Sequence, residues 1–68
     1  MIIEKVGARV KELRMQQGIS QEKLALKAEI DRTYLAGVER GRRNPSVKSL
    51  EKILIALNVS FQKFFDGM

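Results

Sequence analysis

The 68-residue chain has no cysteine, no histidine and no tryptophan, one proline, and only three phenylalanines and one tyrosine. Without thiols there is no disulfide frame and no thiol nucleophile. Without imidazole there is no general base of that kind, and the usual zinc ligands are missing altogether. The acids are Asp31, Asp66 and six glutamates, with no glycine-rich phosphate loop beside them. No catalytic residue, metal or cofactor is expected, and the chain does not read as an enzyme. Thiol-free composition points to a reducing, cytoplasmic setting. The longest apolar run, residues 53–57, is far short of the ~20 residues that cross a bilayer. Met1-Ile2-Ile3 is followed at once by Glu4 and Lys5, which argues against a signal peptide. Nothing alternates with period two for long enough to suggest a strand.

What the chain has is basic charge and helical periodicity. Thirteen Lys and Arg against eight Asp and Glu give a formal charge of +5 and a pI near 10.0, which suits a polyanionic partner such as nucleic acid. The length makes one domain, residues 1–68, with a core that is marginal unless a partner adds to it. Ile3, Val6, Val10 and Leu13 share one face of a first helix over about 2–17, and Gly18 sits where a helix end favours positive φ. Ser20 caps a second helix that ends near Ala28 and buries Leu24, Ala25 and Ala28. Asp31 caps a third, over about 32–40, with Leu35 and Val38 inward, and Gly41 ends it. Ser46 caps a fourth over 47–57, with Val47, Leu50, Ile53, Leu54 and Leu57 on one stripe. Asn58 breaks it, and Ser60 caps a last turn carrying Phe61, Phe64 and Phe65. The expected fold is a compact all-α domain of five helices.

Residues 20–44, SQEKLALKAEIDRTYLAGVERGRRN, hold the pattern that bears on function. The second and third helices are joined by only Glu29-Ile30-Asp31, a link that favours the steep crossing of a helix-turn-helix. Ala25 is small at the expected closest approach, and Ile30 fills the turn. With Leu35 and Val38 inward, a 100° step places Thr33, Ala36, Gly37 and Arg40 outward, with Arg32 and Tyr34 on the flanks. Small residues let a helix approach a groove closely, while arginine and threonine reach base edges. Arg40, Arg42 and Arg43 form the densest basic run, suited to phosphates, and Asn44 adds a hydrogen-bonding group. Gln21, at the start of the second helix, stands where a side-chain amide and a helix N-terminus together hold a phosphate.

The segment ISQEKLALKAEIDRTYLAGVERGRRNPSVKSLEKILIAL resembles the Cro/repressor type of helix-turn-helix, the Xre-like regulators, and the resemblance extends over essentially the whole chain. Within it, DRTYLAGVERGRRNPS is most similar to the controller proteins of bacterial restriction–modification systems. The resemblance implies a lambda-repressor-like fold with a central helix-turn-helix. It implies a bacterial or phage-encoded regulator that binds a palindromic operator on double-stranded DNA as a homodimer, with RNA polymerase as a further candidate partner and no membrane. Base reading falls to Arg32, Thr33 and Ala36. Backbone contacts fall to Gln21, Tyr34, Arg43 and Asn44, beside the phosphate role already given to Arg40. It implies an ion pair between Arg14 and Glu39. Two positions depart from the pattern. Glu29 stands where relatives often have glycine, at ~1 kcal/mol if it adopts the left-handed conformation. Gly37 offers no side chain where some relatives place a base-reading one, which concentrates readout on Arg32 and Thr33.

The C-terminal part suggests how two copies meet. Ile55 lies opposite the fourth helix's apolar stripe, and three phenylalanines follow within ten residues. So small a core has no room for all three, so Ile55 with Phe61, Phe64 and Phe65 is expected to supply a self-complementary apolar patch about a two-fold axis. A competing reading is a helix-turn-helix module, such as an antitoxin or sporulation-type regulator, acting mainly through a protein partner. Its affinity would hardly change with salt.

Overall fold

A computed structural model describes residues 1–68 as five helices and no strand: α1 (Ile2–Gln16), α2 (Gln21–Ala28), α3 (Arg32–Glu39), α4 (Val47–Leu57) and α5 (Phe61–Phe65). Four of them start at a side-chain cap. The carboxylate of Asp31 accepts the Thr33 amide hydrogen, while the hydroxyl oxygens of Ser20, Ser46 and Ser60 accept those of Lys23, Ser49 and Lys63. Each such bond satisfies one of the amides a helix start leaves open, at about 1 kcal/mol. α2 and α4 both end on a left-handed residue, Glu29 at φ 58° and Asn58 at φ 59°. Asparagine tolerates this conformation; glutamate takes it at about 1–2 kcal/mol. The chain accepts that strain because the reversal lets the Ile30 amide donate to the Ala25 carbonyl, closing the corner between α2 and α3. No helix is long and apolar enough to cross a membrane.

The core draws on every helix: Val6 and Val10 from α1, Leu24, Ala25 and Ala28 from α2, Leu35 from α3, Leu50, Ile53, Leu54 and Leu57 from α4, and Phe64 from α5. Two expectations are corrected here. Val47 is 77% exposed. As the first residue of α4 it has no turn before it to pack over, so the apolar stripe begins in effect at Leu50. Phe64 is fully buried and belongs to the core, not to a surface patch. The reversal at Asn58 folds α5 back on the bundle, and the end of the core admits one ring of the three. Phe65 stands edge-on to Phe64, with ring centroids 5.0 Å apart at 86°.

One residue governs the fit of α1 on α3. Gly7 is buried where a Cβ would lie 2.0 Å from the Val38 carbonyl oxygen and 3.1 Å from that of Glu39. The obstacle is backbone, which no rotamer change relieves. Gly7→Ala is expected to lower stability by about 1–3 kcal/mol despite alanine's better helix propensity. For a domain of this size that is a fall of roughly 4–8 °C in Tm per kcal/mol, read by thermal denaturation. A Tm at or above that of the unaltered protein would show that the two helices have room to separate.

Candidate nucleic-acid interface

The three-residue link between α2 and α3 leaves one face of α3 open while the other is pinned by Leu35 and Val38, both fully buried. On the open face Arg32 and Thr33 are exposed, and Tyr34, Ala36 and Gly37 are half-buried. An open depression of about 580 Å³ covers this face. Ala36 gives it a floor without a long side chain. Its lining includes four arginines, Arg32, Arg40, Arg42 and Arg43, against one acid, Asp31, whose carboxylate accepts the Thr33 amide hydrogen at 3.0 Å. A smaller depression beside the start of α2 is lined by Arg14, Ser20, Gln21, Glu22 and Arg32. Arg32 thus belongs to both, between the α2 N-terminus and the open face of α3. Asn44 is exposed in the loop that follows.

The loop is folded back on α3. The Arg42 and Arg43 amides donate to the Gly37 carbonyl at 2.9 and 3.2 Å, closing the helix end. The Arg43 side chain then crosses Gly37 so closely that a Cβ there would lie 2.5 Å from Arg43 Cγ. Its guanidinium carbon stands 5.1 Å from the centre of the Tyr34 ring, within reach of a cation–π attraction of about 0.5–1 kcal/mol at an exposed site. The sequence presents Gly37 as a missing side chain; the fold gives the vacated surface to Arg43. The available signal was the glycine itself, because a glycine inside a helix costs ~1 kcal/mol and calls for a packing reason. Gly7 carried the same signal on α1.

Behind the face lies a buried polar hub. Glu39, with its side chain 2% exposed, accepts from Arg14 Nε at 2.8 Å, from Arg14 Nη2 at 3.1 Å and from Gln21 Nε2 at 3.0 Å. Arg14 Nη1 also donates to the Ile19 carbonyl at 2.8 Å. One carboxylate therefore joins α1, α2 and α3, and no buried side-chain polar atom is left without a partner. Gln21 thereby acquires a structural role. One hydrogen of its amide nitrogen goes to Glu39, which holds the amide in one place at the start of α2 and leaves the second hydrogen as a donor.

Of the residues expected in an apolar patch, Ile55 is 72% exposed and Phe61 and Phe65 are each 38% exposed. They occupy the last turn of α4 and the short α5, separated by the residue 58–60 connection.

A helix-turn-helix family model matches residues 10–64. The control protein C.BamHI of Bacillus amyloliquefaciens is 41% identical over 61 residues, covering 88% of this chain and 75% of that protein. The immunity repressor of Bacillus phage phi105 is 44% identical over 54 residues, 79% of this chain, but the chain spans only 38% of that repressor's length. Among solved structures, the restriction–modification controller protein C.Esp1396I, as a tetramer in complex with its natural 35-base-pair operator, superposes with a TM-score of 0.92 at 44% identity, over 97% of this chain and 87% of that one.

Proposed function

Since the chain belongs to the helix-turn-helix family of Xre-like DNA-binding regulators, a family of regulators and not of enzymes, we propose that it is a sequence-specific transcriptional regulator. It binds a two-fold symmetric operator as a homodimer, and its role is that of a restriction–modification controller protein. The observation that carries this reading is the open face of α3, where four arginines border the short side chains of Thr33 and Ala36, and Arg43 lies across Gly37. Such a face matches the phosphate-lined major groove in charge and in depth of approach. In this reading Arg32 and Thr33 read base edges and Ala36 allows the close approach. Gln21, Tyr34, Arg40, Arg43 and Asn44 hold the backbone, and α2 presents its N-terminal amides to a phosphate.

Selection of bound sites from a pool of random duplexes tests it. The expected product is a two-fold symmetric sequence with half-site centres about one DNA turn, ~34 Å, apart. Affinity is expected to fall with salt at a log–log slope of about −0.9 for each phosphate neutralised. Failure to enrich any sequence, or an affinity indifferent to salt, would favour a module acting through a protein partner.

The dimer is assigned to Ile55, Phe61 and Phe65, the apolar side chains left exposed after Phe64 has entered the core. Ile55→Asp places a charge on the most exposed of these side chains, on both copies. The expected result is a folded monomer by sedimentation, with operator affinity reduced together with dimerisation. An unchanged dimer would move the interface elsewhere.

A further inference from the structure

Two hydrogen bonds run from α1 and the residue that caps its carboxyl end, Gln17, to the carboxyl ends of the helices that carry the exposed apolar side chains. Gln17 Nε2 donates to the Leu57 carbonyl at 2.7 Å, and Arg9 Nε donates to the Phe64 carbonyl at 3.4 Å. Leu57 ends α4, so its carbonyl is one that no helical amide reaches. The amides of Asn58 and Val59 turn back to Ile55 and Leu54 instead. Gln17 therefore holds the carbonyl at the corner between α4 and α5. α5 itself has five residues, too few to be stable alone, and Phe64 is its one buried side chain. Its orientation rests on the Phe64 ring in its slot, on the connection at 58–60, and on these two donors. Gln17 also lies one turn beyond Arg14, which grips Glu39 at the end of α3. The last turn of α1 and its cap residue Gln17 thus hold α3, the helix read here as entering the groove, and the α4–α5 corner together.

We propose that Gln17 and Arg9 are positioning residues that set the separation of the two recognition helices in the dimer, and with it the half-site spacing the protein accepts. The proposal rests on the dimer forming through Ile55, Phe61 and Phe65. A small tilt at that interface is magnified at the DNA: over a lever no longer than the molecule's largest extent, 27 Å, about 7° displaces the far end by up to about 3.4 Å, the rise of one base pair. A loosely held α5 would let the dimer accommodate such a change. A clamped one makes it pay in lost contacts.

The test compares the unaltered protein with Gln17→Met/Arg9→Met, which removes both donors and, with Arg9, its 2.8 Å ion pair to Glu12; Glu12→Gln, which breaks that pair alone, is expected to keep the spacing preference. The probes are a duplex selected from the random pool and the same duplex with one base pair inserted or removed at its dyad. The unaltered protein is expected to bind either altered spacer on the order of 100-fold more weakly, and the double variant only about ten-fold or less. The double variant is expected to stay folded and dimeric at assay concentrations, with a Tm lowered by several degrees because the Leu57 carbonyl loses its donor. Gln17→Lys, which keeps a donor of similar reach, is expected to keep the spacing preference. Full spacing discrimination in the double variant overturns the proposal, and so does dissociation to monomers that accounts for the whole loss. A dimeric Ile55→Asp overturns the underlying interface; a monomeric Ile55→Asp alongside unchanged discrimination overturns only the positioning role.

Discussion

Arg14→Met is expected to remove about 3–5 kcal/mol of stability, because it leaves the Glu39 carboxylate buried without its cation. For a small domain that is a large share of the whole, so much of the protein should be unfolded at physiological temperature. The side chains of Arg14 and Glu39 are 11% and 2% exposed, so water cannot easily replace the guanidinium. Two of its three hydrogen bonds go to Glu39 and the third to the Ile19 carbonyl, so α3 and the approach to α2 lose their tie to α1 together. The sign of the effect separates a broken pair from a weak one. Arg14→Met/Glu39→Met removes both charges and is expected to recover a good part of the loss, since a buried ion pair is often no better than apolar residues of similar volume. Urea denaturation of the single and double variants reads both. A loss below about 1 kcal/mol for Arg14→Met would mean that the site opens to solvent when the arginine is gone.

Arg32→Ala is expected to have its effect on DNA and not on folding, since the side chain is exposed and caps nothing. A bidentate arginine–guanine contact discriminates by about 1–3 kcal/mol. A two-fold dimer makes it twice, so about 2–6 kcal/mol is lost, roughly 30-fold to 10⁴-fold in operator affinity. Site selection with the variant should show lost preference at one symmetric base position while the rest of the operator is retained. Retained preference at every position would assign Arg32 to the backbone contacts instead. Arg43→Ala offers the contrast. It should weaken selected and unrelated duplexes alike and flatten the salt slope by about 1 per protomer.

The helices were legible in the sequence because each boundary has a local cause. Ser20, Asp31, Ser46 and Ser60 satisfy amides within three residues of themselves, and Asn58 reverses the chain by its own tolerance of positive φ. The inward positions of α2 and α3 followed from the 3.6-residue period. Val47 misled because periodicity extends an apolar stripe past the point where a partner surface stops. The three phenylalanines misled in a related way: spacing shows that they share a turn, but which ring enters the core depends on the direction in which α5 returns.

The sequence by itself determined the class of the fold, the corner between α2 and α3, and the outward set of Thr33, Ala36, Gly37 and Arg40, with Arg32 and Tyr34 on its flanks. All of these follow from contacts within a turn or two along the chain, or from composition. Only the tertiary structure decided what depends on distant segments meeting. Gly7 must be small because the carbonyls of Val38 and Glu39 lie against it, and Gly37 because Arg43 crosses it. Gln21 serves Glu39 eighteen residues away, and Gln17 serves Leu57 forty residues away. No local pattern encodes such pairings, because a hydrogen bond between the cap of α1 and the end of α4 exists only once the core has brought them together.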